Sequence, residues 1–93
     1  MIKSFGDKET GKFYLTGKSK RFPSTIVTTA LRKLDYLNAA VSINDLRVPP
    51  GNRLEQLKGN YNGKYSIRIN DQFRIVFKFL SSNAYEVEIT DYH

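Results

Sequence analysis

Four short runs of alternating character, Arg53–Lys58, Lys64–Asn70, Phe73–Leu80 and Ala84–Thr90, follow one another with only turn formers between them, and this rhythm constrains the chain more than any other feature. Antiparallel neighbours can be joined by a tight turn, whereas parallel ones need a crossover of about a dozen residues, so the runs predict an antiparallel meander. Asn62-Gly63 is the strongest hairpin signal, because both residues tolerate positive φ, and it predicts a tight link between the first two runs. Asn70-Asp71-Gln72 and Ser81-Ser82-Asn83 predict three-residue turns for the other two links. Pro49-Pro50-Gly51-Asn52 predicts a rigid turn ahead of the first run.

Ahead of the meander the apolar period lengthens to that of a helix. Val27, Ala30, Leu31, Leu34, Leu37 and Val41 form one stripe, started by Phe22-Pro23-Ser24-Thr25, and belong against a core. Arg32 and Lys33 fall off that stripe and are expected to face solvent. Asp7 can cap a first helix that runs toward Leu15 and stops at Gly17, with Gly11 weakening it by about 1 kcal/mol relative to alanine. Ile2 to Phe5 add a short N-terminal strand. The fold class expected is α+β, with two N-terminal helices packed on one face of a mainly antiparallel, twisted sheet of four to five strands. A chain of 93 residues with 40% hydrophobic content can build one core and not two, so residues 1–93 are expected to form a single domain. No apolar run approaches the length needed to span a bilayer and no signal peptide is evident, so the chain reads as a soluble cytoplasmic protein with no membrane partner.

Fifteen Lys+Arg against nine Asp+Glu leave a net charge of +6, which favours polyanionic partners. The excess is concentrated: from Arg47 to Lys78 seven basic residues stand against Glu55 and Asp71, and no Lys or Arg follows Lys78. The charged stretch Lys18-Ser19-Lys20-Arg21 reads as an exposed linker. If a turn spans Asn70 to Gln72, Arg68 stands opposite Arg74 on the polar face of the sheet, and Tyr65, Ile67 and Ile69 point the other way. Like charges directly opposite repel, so the pair either clamps an anion such as a phosphate or splays toward acids on the last strand. The three-residue turn at Ser81-Ser82-Asn83 sets Lys78 against Glu86 and Arg74 against Thr90, leaving Arg74 without an acidic partner. Both registers matter, because a one-residue slip moves every side chain to the other face.

The last strand leads into Asp91-Tyr92-His93, close to the end of the strand that bears Arg74. Carboxylate, phenol, imidazole and guanidinium are the groups that metal-free RNA cleavage needs: a base for the 2′-hydroxyl, cations for the crowded phosphorane, and an acid for the departing 5′ oxygen. His93 is expected to be the acid, since imidazole titrates near neutrality and Asp91 and the terminal carboxylate favour its protonated form. One histidine and no cysteine leave no multi-histidine or thiolate metal site and no thiol nucleophile, and no phosphate-binding glycine loop appears. No cofactor is expected.

Leu54-Glu55-Gln56-Leu57-Lys58-Gly59, Tyr65-Ser66-Ile67-Arg68-Ile69-Asn70, Phe73-Arg74-Ile75 and the terminal Asp91-Tyr92-His93 together resemble the HigB branch of the RelE-like bacterial toxins, and Met1-Ile2-Lys3-Ser4-Phe5 fits the same branch. The resemblance implies a ribosome-dependent mRNA endoribonuclease of a type II toxin–antitoxin system. Such a toxin acts in the ribosomal A site and is encoded beside a helix-turn-helix antitoxin of the HigA kind. Carried over by motif, Lys58 and Arg74 match phosphate-contacting and transition-state positions, and Asp91, Tyr92 and His93 match the catalytic tail. Tyr65 matches an aromatic that could stack on a base, while Arg53 and Arg68 belong to the RNA-binding face. Glu55 stands where many HigB-like toxins have a histidine, and is either the general base or a surface carboxylate that neutralises Lys58 or Arg53. Two other readings stay open on the residues. A non-catalytic ribosome- or RNA-binding inhibitor would use the same basic face. A DNA-binding regulator is prompted by charge alone, and no direct DNA binding is expected without the antitoxin, since no recognition-helix pattern is present.

Overall fold

The computed structural model describes residues 1–91. Helix α1 (Lys8–Thr16) starts and stops at its sequence signals: Asp7 Oδ1 accepts the Thr10 N–H at 2.7 Å, and Gly17, at φ 72°, donates its N–H to Phe13 O at 2.7 Å. The left-handed conformation at the end is the reason for a glycine there. Gly11 does more than weaken the helix. A Cβ at that position would lie 3.2 Å from the Phe5 ring, so its absence lets the N-terminal segment pack directly on α1.

A 3₁₀ turn (Ser24–Ile26) leads into α2 (Val27–Ala39), which buries Ala30, Leu34 and Leu37 as the stripe predicts. Two expectations for this helix fail. Val41 lies beyond it and is exposed, because the chain turns extended at Ala40 and a capping box between Ser42 and Asp45 starts a separate 3₁₀ turn, Ile43–Arg47. Lys33 does not face solvent. It is 5% exposed, because its flexible stem carries the ammonium inward to Arg68 O at 2.6 Å and Gly51 O at 3.5 Å.

The sheet is an antiparallel meander in the order β1 (Glu55–Gln56), β2 (Tyr65–Arg68), β3 (Phe73–Leu80), β4 (Asn83–Asp91). The expected N-terminal strand is present as two isolated bridges parallel to β4, Ile2 with Ala84 and Phe5 with Val87. The first run is shorter than Arg53–Lys58. Arg53 takes a left-handed conformation (φ 45°) as it closes the 3₁₀ turn Pro50–Asn52, and Gly59 at φ 66° turns the chain away at the other end. Asn62-Gly63 is not a tight hairpin between β1 and β2. It is the centre of a turn closed by Lys64 N–H to Tyr61 O at 3.0 Å, with Asn62 at φ −55°, ψ 134° and Gly63 at φ 88°, the geometry of type II.

The β2–β3 register is the expected one, with Arg68 opposite Arg74 and Ile67 opposite Ile75. Between β3 and β4 the turn is two residues, Ser81 and Ser82, at φ 50° and 67°. Leu80 therefore pairs with Asn83 and Lys78 with Tyr85. A β-bulge at Glu86 (φ 53°) then inserts one residue and restores the pairing expected farther along, Arg74 with Thr90. The bulge also moves the inward positions of β4 from Ala84 to Val87 and Ile89, keeping all three buried. These residues meet Ile67, Ile75 and Phe77 from the sheet and Phe13, Phe22, Ile26, Leu34 and Leu37 from the helical side in one core. Each such side chain stabilises the fold by about 1.5–3 kcal/mol relative to exposure. Among the described residues, no helix is long and apolar enough to cross a membrane.

Candidate functional site

Helix packing covers one side of the sheet and leaves Ser66, Arg68, Arg74 and Thr90 together on the other. Ile69 N–H donates to Phe73 O at 3.0 Å, so Arg68 and Arg74 occupy the adjoining non-hydrogen-bonded pair, where opposing side chains stand closest. Neither arginine is loose. Arg74 donates from Nε to Ser66 Oγ at 2.8 Å and from Nη2 to Arg53 O at 2.8 Å, with Glu55 Oε1 at 3.9 Å from the same Nη2. Arg68 Nη2 donates to Asp71 Oδ1 in the β2–β3 turn.

The expectation of an unpartnered Arg74 is thereby corrected. Its partners come from the β1 side of the sheet and not from β4, and only two of its donor groups are engaged by neutral oxygens. Its side chain is 12% exposed, against 32% for Arg68 and 55% for Glu55. Arg74 is thus a held cation at the surface of a wall, with a long and half-exposed ion pair that contributes little by itself. Its hydrogen bonds are made to neutral oxygens and its ion pair with Glu55 is long, so the guanidinium can still receive an anion.

Asp91 pairs with Phe73, one residue along from the Thr90–Arg74 pair. By strand alternation its side chain points to the opposite side from Arg74, where it accepts Gln72 Nε2 at 2.9 Å. Lys58 and Arg53 are exposed on the loops flanking β1; the arginine contributes its carbonyl to Arg74. Tyr65 is not brought to this face. It lies with Ile67 on the core side, its ring stacked on Phe77 with centroids 6.2 Å apart. Tyr92 and His93, expected as phenol and general acid, lie outside the described residues.

At the far end of the same sheet, Glu86 of β4 reaches Lys78 of β3 and Lys64, the residue just before β2. Its carboxylate meets Lys78 Nζ at 2.8 Å and Lys64 Nζ at 3.9 Å, and the Lys78 ammonium holds it below the usual glutamate range, with Lys64 adding to the effect. The expected Lys78–Glu86 pair forms even though their Cα atoms are not in register, because the bulge swings Glu86 toward the lysine. Glu86 thus compensates one of these two lysine charges within the fold, and Arg68 and Arg74 form a second basic cluster at the other end of the sheet. The Lys18–Arg21 stretch folds back on α1, with Arg21 Nη1 3.3 Å from Asp7 Oδ2 and Ser19 Oγ donating to Glu9 at 3.4 Å, as befits a linker.

Residue pattern alone missed Ser66 and the Arg53 carbonyl. Ser66 is fully buried opposite Val76 and diagonal to Arg74; a small hydroxyl in a strand of large residues, two positions from an arginine pair, is the signal that could have identified it.

The sequence family described as "RelE-like toxin of type II toxin-antitoxin system HigB" matches residues 3–93. The chain belongs to this family. Toxin HigB-1 of Vibrio cholerae serotype O1 is 45% identical over 85 residues, covering 90% of each chain. Endoribonuclease HigB of Proteus vulgaris is 31% identical over 93 residues, covering the whole of both. Among solved structures, the YoeB-YefM complex from Staphylococcus aureus contains a chain that superposes with a TM-score of 0.63 at 19% identity, covering all of this chain and 98% of that one. That likeness establishes the RelE-like fold of two helices on a four-stranded antiparallel sheet. As a HigB-like toxin of a type II system, the protein is one half of a toxin and antitoxin pair.

Proposed function

We propose that this HigB-like toxin is an endoribonuclease, working as a single domain in the bacterial cytoplasm, that cleaves mRNA presented by the ribosome in its A site and so inhibits translation. The observation that carries the reading is Arg74: a guanidinium fixed by Ser66 Oγ and Arg53 O, facing Arg68 across the strand pair, with the Glu55 carboxylate 3.9 Å away. Fixed donors aimed at a phosphate stabilise the charge that develops on its oxygens during displacement. The name borne by the relative from Proteus vulgaris, Endoribonuclease HigB, supports the same chemistry.

In this mechanism the 2′-oxygen of a ribose attacks the adjacent phosphorus, forming the new P–O bond of a cyclic phosphate while the bond to the 5′ oxygen breaks. Glu55, beside Arg74, takes the 2′ proton. Arg74 binds the phosphoryl oxygens, with Lys58, Arg68 and Arg53 holding neighbouring phosphates. His93 gives its proton to the departing 5′ oxygen, and Tyr92 and Asp91 orient the tail. Acid and base groups of this kind each contribute about 10²–10⁴ in rate, and the ribosome supplies the remaining order by holding the message. The antitoxin partner is a helix-turn-helix protein of the HigA kind, through which any contact with DNA is made. No cofactor enters the scheme.

Expression of the wild-type chain without antitoxin should arrest growth and leave cuts in translated messages at a codon-spaced period, with His93→Ala removing both. Growth arrest with intact ribosome-bound messages, or full toxicity in His93→Ala, would mean that the protein inhibits by binding and not by cleavage.

A further inference from the structure

Lys33 is the one residue of α2 whose charge is spent inside the protein. The residue is 5% exposed, and its ammonium reaches out of the helix to two backbone carbonyls, Arg68 O at 2.6 Å and Gly51 O at 3.5 Å. Neither acceptor is charged, so among the described residues the ammonium is buried without a counter-ion. Arg32, Arg68 and Arg74 add like charge around it, and burial foremost, with these neighbours, lowers its pKa from the ordinary lysine value. A methionine would fill the same space without the desolvation cost. Packing therefore does not account for a lysine here.

The two carbonyls belong to the segments that also carry Arg74's partners. Arg68 ends β2, the strand that presents Ser66 Oγ. Gly51 sits in the 3₁₀ turn Pro50–Asn52, which Arg53 closes in a left-handed conformation, offering its own carbonyl to Arg74 Nη2. Lys33 thus ties β2 and the Pro50–Asn52 turn together from the helix side, and Arg74 ties the same two segments together from the open face. Each cation fixes the spacing that the other requires.

We propose that Lys33 is a positioning residue for Arg74: by holding the end of β2 and the Pro50–Asn52 turn at a fixed separation, it sets where Ser66 Oγ and Arg53 O hold the guanidinium. Lys33 touches no substrate. Its contribution to RNA cleavage rests on the reading of Arg74 as the phosphate-binding cation, whereas its effect on Arg74 itself does not.

The test uses the full chain as Lys33→Met, Lys33→Gln and Lys33→Arg, each first checked for cooperative thermal unfolding. The Arg74 Nε–H resonance in ¹H–¹⁵N spectra, identified by its loss in Arg74→Lys, reports the hydrogen bond to Ser66 directly. In Lys33→Met it should move toward the position of a solvent-exposed arginine and exchange faster, and Lys33→Arg should restore it. Cleavage of ribosome-bound mRNA by Lys33→Met should fall by about tenfold or more in kcat, with KM within about twofold, since small displacements of a transition-state contact act on kcat. Should Lys33→Met not fold, Lys33→Gln, which keeps a donor and loses the charge, is read in the same way. An unshifted Arg74 resonance in a folded variant overturns the proposal whatever the nuclease does, whereas a shifted resonance with unchanged kcat upholds the hold of Lys33 on Arg74 and overturns the reading of Arg74 as the phosphate-binding cation. Wild-type protein that does not cleave overturns the nuclease reading alone, and the Arg74 resonance still decides the role of Lys33.

Discussion

Removing the Ser66 hydroxyl tests the site at its best-defined contact. Ser66 is fully buried, and its Oγ accepts Arg74 Nε at 2.8 Å from a side chain only 12% exposed. A hydrogen bond to a charged group contributes about 1.5–3 kcal/mol, and a buried donor left unpaired costs a similar amount. Arg74 keeps its bond to Arg53 O in Ser66→Ala, so the expected loss lies toward the middle of that range, about 2 kcal/mol. In a domain of this size that lowers Tm by roughly 8–16 °C. A double-mutant cycle with Arg74→Met, read by urea denaturation, isolates the pair from the other contacts that Arg74 loses, and the coupling energy should be about 1.5 kcal/mol or more. Ser66→Ala should also slow cleavage of ribosome-bound mRNA at temperatures where it is fully folded, because the guanidinium keeps its charge and loses its orientation. A coupling energy below about 0.5 kcal/mol, or an unchanged cleavage rate, would refute the argument that Ser66 holds Arg74 in place.

Other consequences are open to measurement. Asp71→Asn releases Arg68 from its carboxylate partner; because Asp71 is 99% exposed, thermal stability should be unchanged, while RNA affinity rises and its dependence on log salt steepens by about one phosphate contact. Asp45 is held below its ordinary 3.8 by the Ser42 and Val41 backbone N–H groups. Its carboxylate therefore stabilises the fold fully above that value, and the contribution disappears as pH falls through the lowered folded value. Asp45→Asn should flatten this part of the acid limb, and the Val41 and Ser42 amide shifts should stop following the titration.

How much of this was legible in the sequence differs from one element to the next. The Arg68–Arg74 pairing follows from turn position and alternation alone, because Asn70-Asp71-Gln72 leaves one register that keeps Ile67 and Ile69 inside. Arg74 opposite Thr90 was also legible, although two departures cancel to produce it. The turn is one residue shorter than expected, since Ser81 and Ser82 both accept positive φ, and the bulge at Glu86 adds the missing residue back. Serine is a weak signal for such a turn compared with Asn-Gly, and a bulge has no local signature in Tyr85-Glu86-Val87.

Lys33 was not legible, because helical spacing places it at the edge of the apolar stripe and its acceptors lie 18 and 35 residues along the chain. The partners of Arg74 were hidden for the same reason. One is the carbonyl of Arg53, and any residue type could present a carbonyl there. Tyr65 shows the converse: its motif match suggested a base-stacking ring, yet its strand parity with Ile67 already put it on the core side.

The central claim is that a held Arg74 and the Asp91-Tyr92-His93 tail cleave mRNA on the ribosome. Purified protein incubated with 5′-labelled mRNA, free or bound to programmed ribosomes, tests it most directly. The account predicts cuts at the A-site codon of ribosome-bound message, little cleavage of free RNA, and loss of about 10² or more in rate for Arg74→Ala, whose side chain is the cation aimed at the phosphate. Wild-type rates retained by a folded Arg74→Ala, or equal cleavage of free and ribosome-bound message, would contradict it.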